Sequence, residues 1–581
     1  MHLTTDVLVI GAGGAGMYAA LEAARHGANV LLIDRSLIGR GGATVMAQMT
    51  VAAAVGGECP DHWQHHLVDT LRAGRGLCDP ALARVICEDG PECILEMDSW
   101  GVGWARKEGR FTQVMAPGHD RTRCVYVDFL NTGPAVSRTL RTQLIRAAGP
   151  ESARAGLVEG ATPGSIRRVG DLLVTRLETQ GGECVGATAL HLSTGELVSI
   201  GAAATVMATG GLTRLYRRNS ASANMGGDGY ALALRAGAAL LDMEFVQFFP
   251  IGHLAPRMIG MDPIMWDPFR YKLGGRLLNG NREEFVQNYG AAVSDKYIVT
   301  RDLATYAITK EVEAGRGSPN GGAYLSFEHL SAEVLREAFG PVIDRIAKNG
   351  IDLTQMPIEV APIAHYHMGG IQVDAQMRTT LAGLLAAGEA VGGANGANRL
   401  SGNAITEALA FGRRAGRNAA HDALASGALR WDGAGRDAHW YTQGPSHLDF
   451  NPAQMLVELQ ALMADEVGPF RTEAGLLRAL HRLTAMRAQV GEVPPKGTGG
   501  LDCVRIDWFD LFQMLLVAEV VTRAALLRTE SRGAHQREDF PGLDESWRVN
   551  QVVNTDGSGQ LNIARRMVPA SVLIPDPVEL A

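Results

Sequence analysis

A glycine-rich turn near the N-terminus places the strongest constraint on how this chain can fold. Residues 11–16 read Gly-Ala-Gly-Gly-Ala-Gly and directly follow the short apolar run 6–10. A strong helix-forming segment, 17–26, comes next, and a second apolar run, 29–33, ends at Asp34. Such a turn between a strand and a helix, with an acidic residue about 20 positions further on, is typical of a dinucleotide-binding βαβ unit. The sequence therefore predicts this unit at the N-terminus.

Each part of the predicted turn has a physical role. Gly11 and Gly13 carry no side chain, which lets the backbone approach a pyrophosphate, and Gly16 lets the helix pack closely on the strand. The N-terminus of the helix offers unpaired N–H groups and a partial positive charge to the phosphates. Asp34 would accept a hydrogen bond from a ribose hydroxyl. An ordinary glycine-rich turn is the alternative interpretation of the same residues.

Composition is that of a globular protein with several domains. The 581 residues are 46% hydrophobic and 20% charged, and a domain of roughly 150 residues is a common size, so about three or four modules are expected. The 70 glycines fall in short clusters such as 11–16, 39–42 and 392–396, without a Gly-X-Y period. Clusters of this kind favour backbone that passes close to a bound cofactor.

The charge and hydropathy patterns exclude two classes of partner. The net charge is −8 and the pI is near 6.1, with no strongly basic stretch, so nucleic acid is not expected. No run of about 18 apolar residues predicts a membrane span. The N-terminus, Met-His-Leu-Thr-Thr-Asp, lacks the features of a signal peptide. A cytoplasmic location is the default expectation.

The cysteines argue against a disulfide framework. There are seven, and no Cys-x-x-Cys pair occurs, which also argues against an iron–sulfur cluster held within this chain. No other set of metal ligands is predicted. Cys87 and Cys93 lie in a segment that looks helical, and we expect them to be buried free thiols.

Two later passages repeat the arrangement of a short strand followed by glycine. Residues 204–209 lead into Gly210 and then into a second glycine-rich stretch at 224–229. Residues 384–387 lead into Gly-Glu at 388–389, and a helix is predicted from Asn403. Between about 242 and 350 the chain has more aromatic residues and prolines, which indicates an inserted domain.

Four passages together resemble the superfamily of succinate dehydrogenase and fumarate reductase flavoproteins, which includes L-aspartate oxidase. They are Asp-Met-Glu-Phe-Val-Gln at 242–247, His-Tyr-His-Met-Gly-Gly at 365–370, Gly-Glu at 388–389 with Gly-Ala-Asn-Arg-Leu-Ser-Gly-Asn at 396–403, and Arg-Thr-Glu-Ser-Arg-Gly-Ala-His at 528–535. They occur in the order found in the superfamily and span nearly the whole chain.

The resemblance implies an α/β fold with a Rossmann-like, two-part FAD-binding domain, an inserted α+β capping domain and a C-terminal helical domain. Laid on this sequence, the FAD-binding domain covers 1–241 and 351–425, the capping domain 242–350, the helical domain 426–546 and a C-terminal extension 547–581. The cofactor implied is FAD.

The resemblance also implies site residues. The cofactor-binding set is Gly11, Gly13, Gly14, Gly16, Asp34, Thr44, Gly210, Asp228, Glu389, Ser401 and Asn403. Glu389 would bind the FAD ribose, although it could instead cap a helix, and residues 401–403 would lie near the flavin ring.

Three further residues match the catalytic positions of the superfamily. His365 and Arg399 match the pair that holds one substrate carboxylate, a task that suits the planar fork of arginine. The alternatives are a histidine satisfied within the core and an arginine in a surface ion pair. Arg301 matches the arginine that transfers a proton, or else it forms an ion pair with Asp302.

The chain departs from the superfamily at three places. Ala43 occupies the position of the histidine to which FAD is attached covalently in most members, so noncovalent FAD is expected. Phe249 replaces a histidine that helps to bind the second carboxylate. The Thr-Glu pair expected about fifteen residues later is missing, and Met-Trp-Asp-Pro stands there at 265–268. His253 or Arg257 could compensate.

These features predict an FAD-dependent enzyme that transfers a hydride between flavin N5 and a carbon–carbon bond next to a carboxylate. The substrate would be a small carboxylate other than plain succinate or fumarate, and electrons would pass to or from a separate iron–sulfur subunit. An amino-acid oxidase similar to L-aspartate oxidase is one alternative. An electron-relay subunit of the adenylylsulfate-reductase type is another.

Overall fold

The chain divides into two compact units. The computed structural model describes residues 1–147, 164–258, 261, 264–290, 301–426, 431, 439–556 and 559–570. The larger unit consists of Met1–Arg217, Ala221–Val246 and Tyr366–Ala581, and the smaller unit of Arg218–Ser220 and Gln247–His365. The division into five segments from the sequence stays a prediction beside this two-unit partition.

The helices of the described residues follow the predicted helical segments. In chain order they are α1 (Gly14–Arg25), α2 (Trp63–Ala73), α3 (Pro80–Ser99), α4 (Thr132–Ala147), α5 (Asp228–Ala236), α6 (Asp267–Leu273), α7 (Arg301–Glu313), α8 (Ala332–Lys348), α9 (Asn403–Ser426), α10 (Pro452–Glu466), α11 (Glu473–Val490) and α12 (Cys503–Leu527).

The strands alternate with these helices only in part of the chain. They are β1 (His2–Ile10), β2 (Val30–Ile33), β3 (Val51–Ala52), β4 (Arg106–Lys107), β5 (Arg110–Phe111), β6 (Gln113–Val114), β7 (Cys124–Val125), β8 (Ile166–Val169), β9 (Leu172–Gln180), β10 (Glu183–His191), β11 (Leu197–Met207), β12 (Leu240–Leu241), β13 (Val246–Ala255), β14 (Arg276–Leu278), β15 (Ala323–Ser326), β16 (Ile358–His367), β17 (Gly370–Ile371), β18 (Leu384–Ala386), β19 (Phe470–Arg471), β20 (Gln536–Arg537), β21 (Val549–Thr555) and β22 (Leu561–Met567).

The larger unit is built on a seven-stranded sheet in the order β8-β2-β1-β11-β10-β9, with β18 also paired to β11. Strands β8, β2, β1, β11 and β18 are parallel, while β10 and β9 are antiparallel to their neighbours. The carboxyl ends of β1, β11 and β18 therefore meet at one edge. Ligands of open α/β sheets bind at this kind of edge, and all three predicted strand–glycine passages begin there.

The predicted βαβ unit is present, with small shifts at its boundaries. β1 begins at His2 rather than at residue 6, because its first residues pair with the long strand β11, starting with His2 opposite Ser199. α1 begins at Gly14 rather than at residue 17. Val7, Leu8 and Val9 are completely buried, as expected of a central parallel strand that is covered on both faces.

Helix α9 packs directly against α1. A Cβ atom at Gly412 would overlap the carbonyl oxygen of Ala15, and one at Gly416 would overlap that of Ala19. The two helices therefore approach at backbone distance because α9 carries glycine at both crossing positions. This contact joins the N-terminal βαβ unit to the second part of the nucleotide-binding fold.

Two of the passages that carried the resemblance meet in the larger unit. Arg528 is completely buried and donates to Glu244 at 2.7 Å and to Glu530 at 3.0 Å. Asp242 accepts from the Asn550 side chain at 2.6 Å, and burial raises its pKa to about 7. This network ties the segment after α12 to the end of the nucleotide-binding fold.

The smaller unit contains a four-stranded sheet in the order β13-β16-β15-β14. β15 pairs antiparallel with both β14 and β16. Helix α8 begins with Ser331 as its N-cap, which accepts from the Val334 amide at 3.3 Å. Strands β13 and β16 carry the chain into and out of this unit, which makes it an insertion in the larger fold.

All seven cysteines are free thiols. Cys87 and Cys93 lie in α3 and are completely buried, which confirms the prediction for this pair. Within the part of the chain that the structure describes, no helix has the length and hydrophobicity needed to cross a membrane.

Candidate functional site

The glycine turn follows β1 at the edge where the parallel strands end. Gly11 has φ +100°, and its N–H donates to the Ile33 carbonyl at 2.8 Å. A Cβ atom there would overlap the Ala208 carbonyl oxygen, and one at Gly16 would overlap that of Gly11. Only glycine fits these two positions, because the turn, β11 and α1 meet at backbone distance.

Gly13 differs from its neighbours because the space beside it is open. A Cβ atom at Gly13 would meet no protein atom within 4 Å. Gly13 is the N-cap residue of α1, and among the described residues no side chain caps this helix end. The N-terminus of α1 therefore presents N–H groups next to an open space, which is the arrangement that binds a phosphate.

Asp34 holds the turn in place from the end of β2. Its carboxylate accepts from the Ala12 amide at 2.7 Å and from the amide and hydroxyl of Ser36, each at 2.8 Å. The side chain remains only half-buried. The sequence predicted a ribose contact for Asp34, and the structure adds a second role, since the same carboxylate fixes the glycine turn.

The next residue, Arg35, is committed to the helical region. Its guanidinium donates to both carboxylate oxygens of Asp510 in α12, at 2.6 and 3.0 Å. Arg214 donates to the same carboxylate at 2.6 Å. This pairing ties the end of β2 to α12.

Thr44 and Ala43 lie beside the start of α1. The Thr44 hydroxyl accepts from the Gly14 amide at 3.2 Å. A short 3₁₀ turn covers Thr44–Met46, and Ala43 is its N-cap residue. Thr44 therefore contacts the predicted cofactor loop, and the neighbouring Ala43 offers no group that could form a covalent bond.

The second strand–glycine passage also lies at the carboxyl edge of the sheet. Gly210 has φ +75° after the end of β11. Asp228 begins α5, and burial raises the pKa of its carboxyl to about 6. Arg35 opposes this shift through its positive charge.

Glu389 lies after β18, at the third strand–glycine passage. Its carboxylate accepts from the His367 amide at 3.0 Å, and a Cβ atom at Gly211 would overlap Oε1. Burial raises the pKa of Glu389 to about 8. Glu389 therefore contacts the turn after β11, next to Gly210.

Arg399 lies in the loop before α9. It is 7% exposed, its guanidinium stacks on the ring of Tyr366 with 4.5 Å to the centroid, and it donates to the Leu400 carbonyl at 3.3 Å. The Tyr366 hydroxyl donates to Glu407, which also accepts from Asn395 at 2.8 Å. Burial raises the pKa of Glu407 to about 7.

The loop residues Ser401 and Asn403 are held by two histidines that lie outside the sequence motifs. His119 Nε2 lies 2.7 Å from the Ser401 carbonyl oxygen, and His66 Nε2 lies 2.8 Å from Asn403 Oδ1. The Asn403 amide group also donates to Thr70 at 3.1 Å. Its side chain is therefore used within the protein. Histidines far apart in the sequence carry no local signal that would have revealed these contacts.

His365 belongs to the smaller unit and is described there. Its Nδ1 lies 2.8 Å from the Ser220 hydroxyl. The ring of Phe249 lies 5.1 Å away, centroid to centroid. Phe249 itself packs with Met265 and Ile363 in a buried apolar cluster. The neighbourhood of His365 is therefore apolar on the side of Phe249.

The structure also removes one of the residues that could have replaced the lost histidine. Trp266 donates its indole N–H to His253 Nδ1 at 3.1 Å, so the other ring nitrogen carries the proton and faces the Pro256 carbonyl oxygen. With both nitrogens engaged and 8% exposure, His253 is a buried structural residue. Arg257 is exposed. Arg301 is the first residue of α7, and its side chain lies outside the described residues.

Comparisons with known proteins agree with this architecture. A family model described as an FAD binding domain matches residues 6–405, and one described as a fumarate reductase flavoprotein C-terminus matches residues 457–578. The chain belongs to the succinate dehydrogenase and fumarate reductase flavoprotein family. The predicted fold class and FAD as the cofactor are confirmed.

Members of this family resemble the chain along nearly its full length. A fumarate reductase (CoM/CoB) subunit from Methanothermobacter marburgensis is 34% identical over 557 residues, which cover 94% of this chain and 97% of the relative. L-aspartate oxidase from Streptomyces coelicolor is 32% identical and covers 95% and 91%. The structure of Mycobacterium smegmatis Sdh1 in complex with UQ1 superposes with a TM-score of 0.87 at 33% identity, covering 98% and 96%. The protein is an FAD-dependent oxidoreductase of the fumarate reductase and succinate dehydrogenase type.

The described residues fit FAD. The open space at Gly13, the uncapped N-terminus of α1 and the half-buried carboxylate of Asp34 would hold the pyrophosphate and a ribose. The buried carboxyl of Glu389 lies where a hydroxyl donor would satisfy it.

Gly13→Ala tests the phosphate position. A methyl group there meets no protein atom within 4 Å, so the fold should remain, but the methyl would occupy the space expected for the pyrophosphate. We expect FAD to bind about tenfold more weakly or worse, a loss of at least roughly 1.4 kcal/mol. Fluorescence titration of the flavin-free protein measures this. Gly340→Ala, where the added Cβ is equally open, is the control, and unchanged FAD affinity in Gly13→Ala would contradict the assignment.

Glu389→Gln tests the buried carboxyl through pH. The folded protein keeps a proton on Glu389 up to a pKa of about 8, whereas the unfolded chain releases it near the ordinary pKa of 4.5. The stability of the wild-type, flavin-free protein should therefore fall as pH rises through this window. Between about pH 5.5 and 8 the variant should gain up to roughly 3 kcal/mol relative to the wild type.

Thermal unfolding followed by circular dichroism at both pH values measures this gain. Glu337→Gln, which changes an exposed carboxylate on α8, is the control. A difference between Glu389→Gln and the wild type that does not change with pH would show that this carboxyl is ionised in the folded protein.

Proposed function

We propose that the protein interconverts a carbon–carbon double bond and a single bond next to one carboxylate, on a substrate whose far end is neutral or aromatic. Bound FAD would supply or accept the hydride at flavin N5. The observation that carries the proposal is the apolar cluster of Phe249, Met265 and Ile363 beside His365. This cluster stands where the resemblance expects donors for a second carboxylate.

The carboxylate next to the reacting bond would be bound by Arg399 and His365. Arg399 supports this role because its guanidinium is nearly buried and is held flat against Tyr366, which fixes the orientation of its donors. His365 supports it because Ser220 holds Nδ1 at 2.8 Å and so orients the ring. A planar guanidinium can grip a carboxylate with two parallel hydrogen bonds.

Arg301 would deliver the proton to the carbon that does not receive the hydride. This assignment rests on the resemblance, since its side chain lies outside the described residues. An arginine has a pKa above about 12 and is a weak acid, so it can serve only if the carbon is much more basic and the proton is then replaced. Its position as the first residue of α7 would keep it at a fixed point of the smaller unit.

A dicarboxylate would be a poor substrate for this arrangement. Its second carboxylate would face the ring of Phe249 rather than a donor, and His253 has both ring nitrogens engaged elsewhere. An unpaired charge in a closed site costs several kcal/mol. The same argument disfavours an L-aspartate-oxidase activity, because aspartate also carries two carboxylates.

The remaining electrons would pass to or from a separate iron–sulfur subunit. The cysteine spacing does not predict a cluster within this chain, and several similar proteins carry the word subunit in their names. An electron-relay protein without its own organic substrate remains the alternative. The retained pair His365 and Arg399 favours an enzyme with a carboxylate substrate.

Noncovalent FAD follows from Ala43, which has no nucleophile. Acid precipitation of the purified yellow protein should leave the FAD in the supernatant, where its absorbance and fluorescence measure the yield. As a control, the pellet is digested with protease and checked for flavin-labelled peptides. Flavin that stays in the pellet would mean that another residue forms a covalent bond.

Phe249→His tests the substrate class. The wild type should reduce trans-cinnamate more efficiently than fumarate. Restoring a donor should raise the ratio of kcat/KM for fumarate to that for trans-cinnamate, by about tenfold to a hundredfold for one charge-assisted hydrogen bond. Phe248→His is the matched control, because successive side chains of a strand such as β13 point to opposite faces. Wild-type turnover of fumarate that equals or exceeds that of trans-cinnamate would contradict the proposal.

A further inference from the structure

The loop that carries Arg399 is held by contacts on both of its ends. Residues 399–403, which we call the arginine loop, lie just before and at the start of α9. The Ala52 amide donates to the Gly402 carbonyl at 3.0 Å, and the Thr406 hydroxyl donates to the Ala52 carbonyl at 2.6 Å. These bonds fix the C-terminal end of the loop to β3.

The middle of the arginine loop is held by one side chain, His119. Its Nε2 lies 2.7 Å from the Ser401 carbonyl oxygen, so Nε2 carries the proton and donates it. Its Nδ1 faces the Arg123 guanidinium at 3.3 Å and can only accept. Both ring nitrogens are therefore used, and the ring is neutral in this arrangement.

Arg123 is what fixes this tautomer. It is completely buried and donates to Asp61 at 2.9 Å, to Asp69 at 2.7 Å and to Asp120 at 2.7 Å. Three carboxylates hold the guanidinium so firmly that its Nη1 keeps a donor directed at His119. Burial lowers the pKa of His119 to about 4, and the positive charge of Arg123 acts in the same direction.

A second histidine holds the end of the same loop. His66 is completely buried, and its Nε2 lies 2.8 Å from Asn403 Oδ1. The rings of His66 and His119 lie 5.9 Å apart, centroid to centroid. The two imidazoles therefore form one side of the support on which the arginine loop rests.

We propose that His119 is a positioning residue whose hydrogen bond to the Ser401 carbonyl holds the arginine loop, and with it Arg399, in the conformation that binds the substrate carboxylate. The part that concerns the substrate rests on the function proposed above. The part that concerns the loop does not.

A proton-transfer role for His119 fits the contacts less well. Such a residue needs a nitrogen that can reach the reacting group, and here the two nitrogens face Ser401 and Arg123. Both partners belong to the protein backbone or to a buried ion cluster. The geometry therefore points to orientation of the loop rather than to chemistry on the substrate.

The test compares His119→Leu with His119→Gln in the FAD-loaded protein. Leucine removes the donor, whereas the amide of glutamine can restore a hydrogen bond to the Ser401 carbonyl. Arg121→Ala is the matched control, because Arg121 lies in the same segment and pairs with Asp120 at 2.9 Å at the surface. Hydrogen exchange by mass spectrometry reports on the peptide that contains residues 399–403.

We expect amide exchange in this peptide to be about two- to tenfold faster in His119→Leu, from the loss of one hydrogen bond. His119→Gln and Arg121→Ala should exchange like the wild type. Exchange in His119→Leu that is unchanged, or that rises equally along the whole chain, would overturn the proposal. So would a His119→Gln variant that exchanges as fast as His119→Leu.

A second readout separates this proposal from the proposed function. Binding of trans-cinnamate, followed by the change in flavin absorbance, should weaken in His119→Leu by a similar factor and recover in His119→Gln. If the wild type binds no trans-cinnamate, the proposed substrate class fails, while the exchange data still decide the role of His119.

Discussion

The structure depends above all on the backbone contacts that glycine permits around α1. At one end Gly11 and Gly16 bring β1, β11 and α1 together without side chains between them, and along its length α9 meets α1 at Gly412 and Gly416. Side chains at these positions would separate the elements and move the N-terminus of α1 away from the strand ends. Every cofactor assignment, and the attachment of the arginine loop to α9, follows from this close packing.

The larger unit buries many ionisable groups, and those around Arg399 have identifiable partners. Glu389 accepts from the His367 amide, and Glu407 accepts from Tyr366 and Asn395. Burial raises the pKa of both carboxyls, to about 8 and about 7. Groups of this kind are costly to bury without hydrogen bonds, and perturbed carboxyls cluster at functional sites. Their position after β18 and in α9 agrees with a ligand site there.

The local parts of this account could be predicted from the sequence. The βαβ unit, the strand–glycine passages and the helices after residue 450 have signals within a few residues, such as the Asn451–Pro452 start of α10. Boundaries moved where tertiary pairing decides them, as in the early start of β1 on β11.

The supporting contacts of the site could not be predicted from the sequence. His119 meets Ser401 across 282 positions and His66 meets Asn403 across 337, and no local pattern encodes such pairs. The same holds for His253, which looked able to replace the lost histidine until Trp266 and Pro256 were seen to engage its ring. The roles of Arg301, His365 and Arg399 remain proposals.

The central claim is that one carboxylate is bound while the far end of the substrate meets an apolar surface. The most direct measurement is a single-turnover experiment in which the FAD of the wild-type protein is reduced without oxygen and then mixed with one enoate at a time. The account predicts that reoxidation of the flavin by trans-cinnamate or a related monocarboxylate is faster than reoxidation by fumarate. Rapid reoxidation by fumarate, with none by the monocarboxylates, would contradict it.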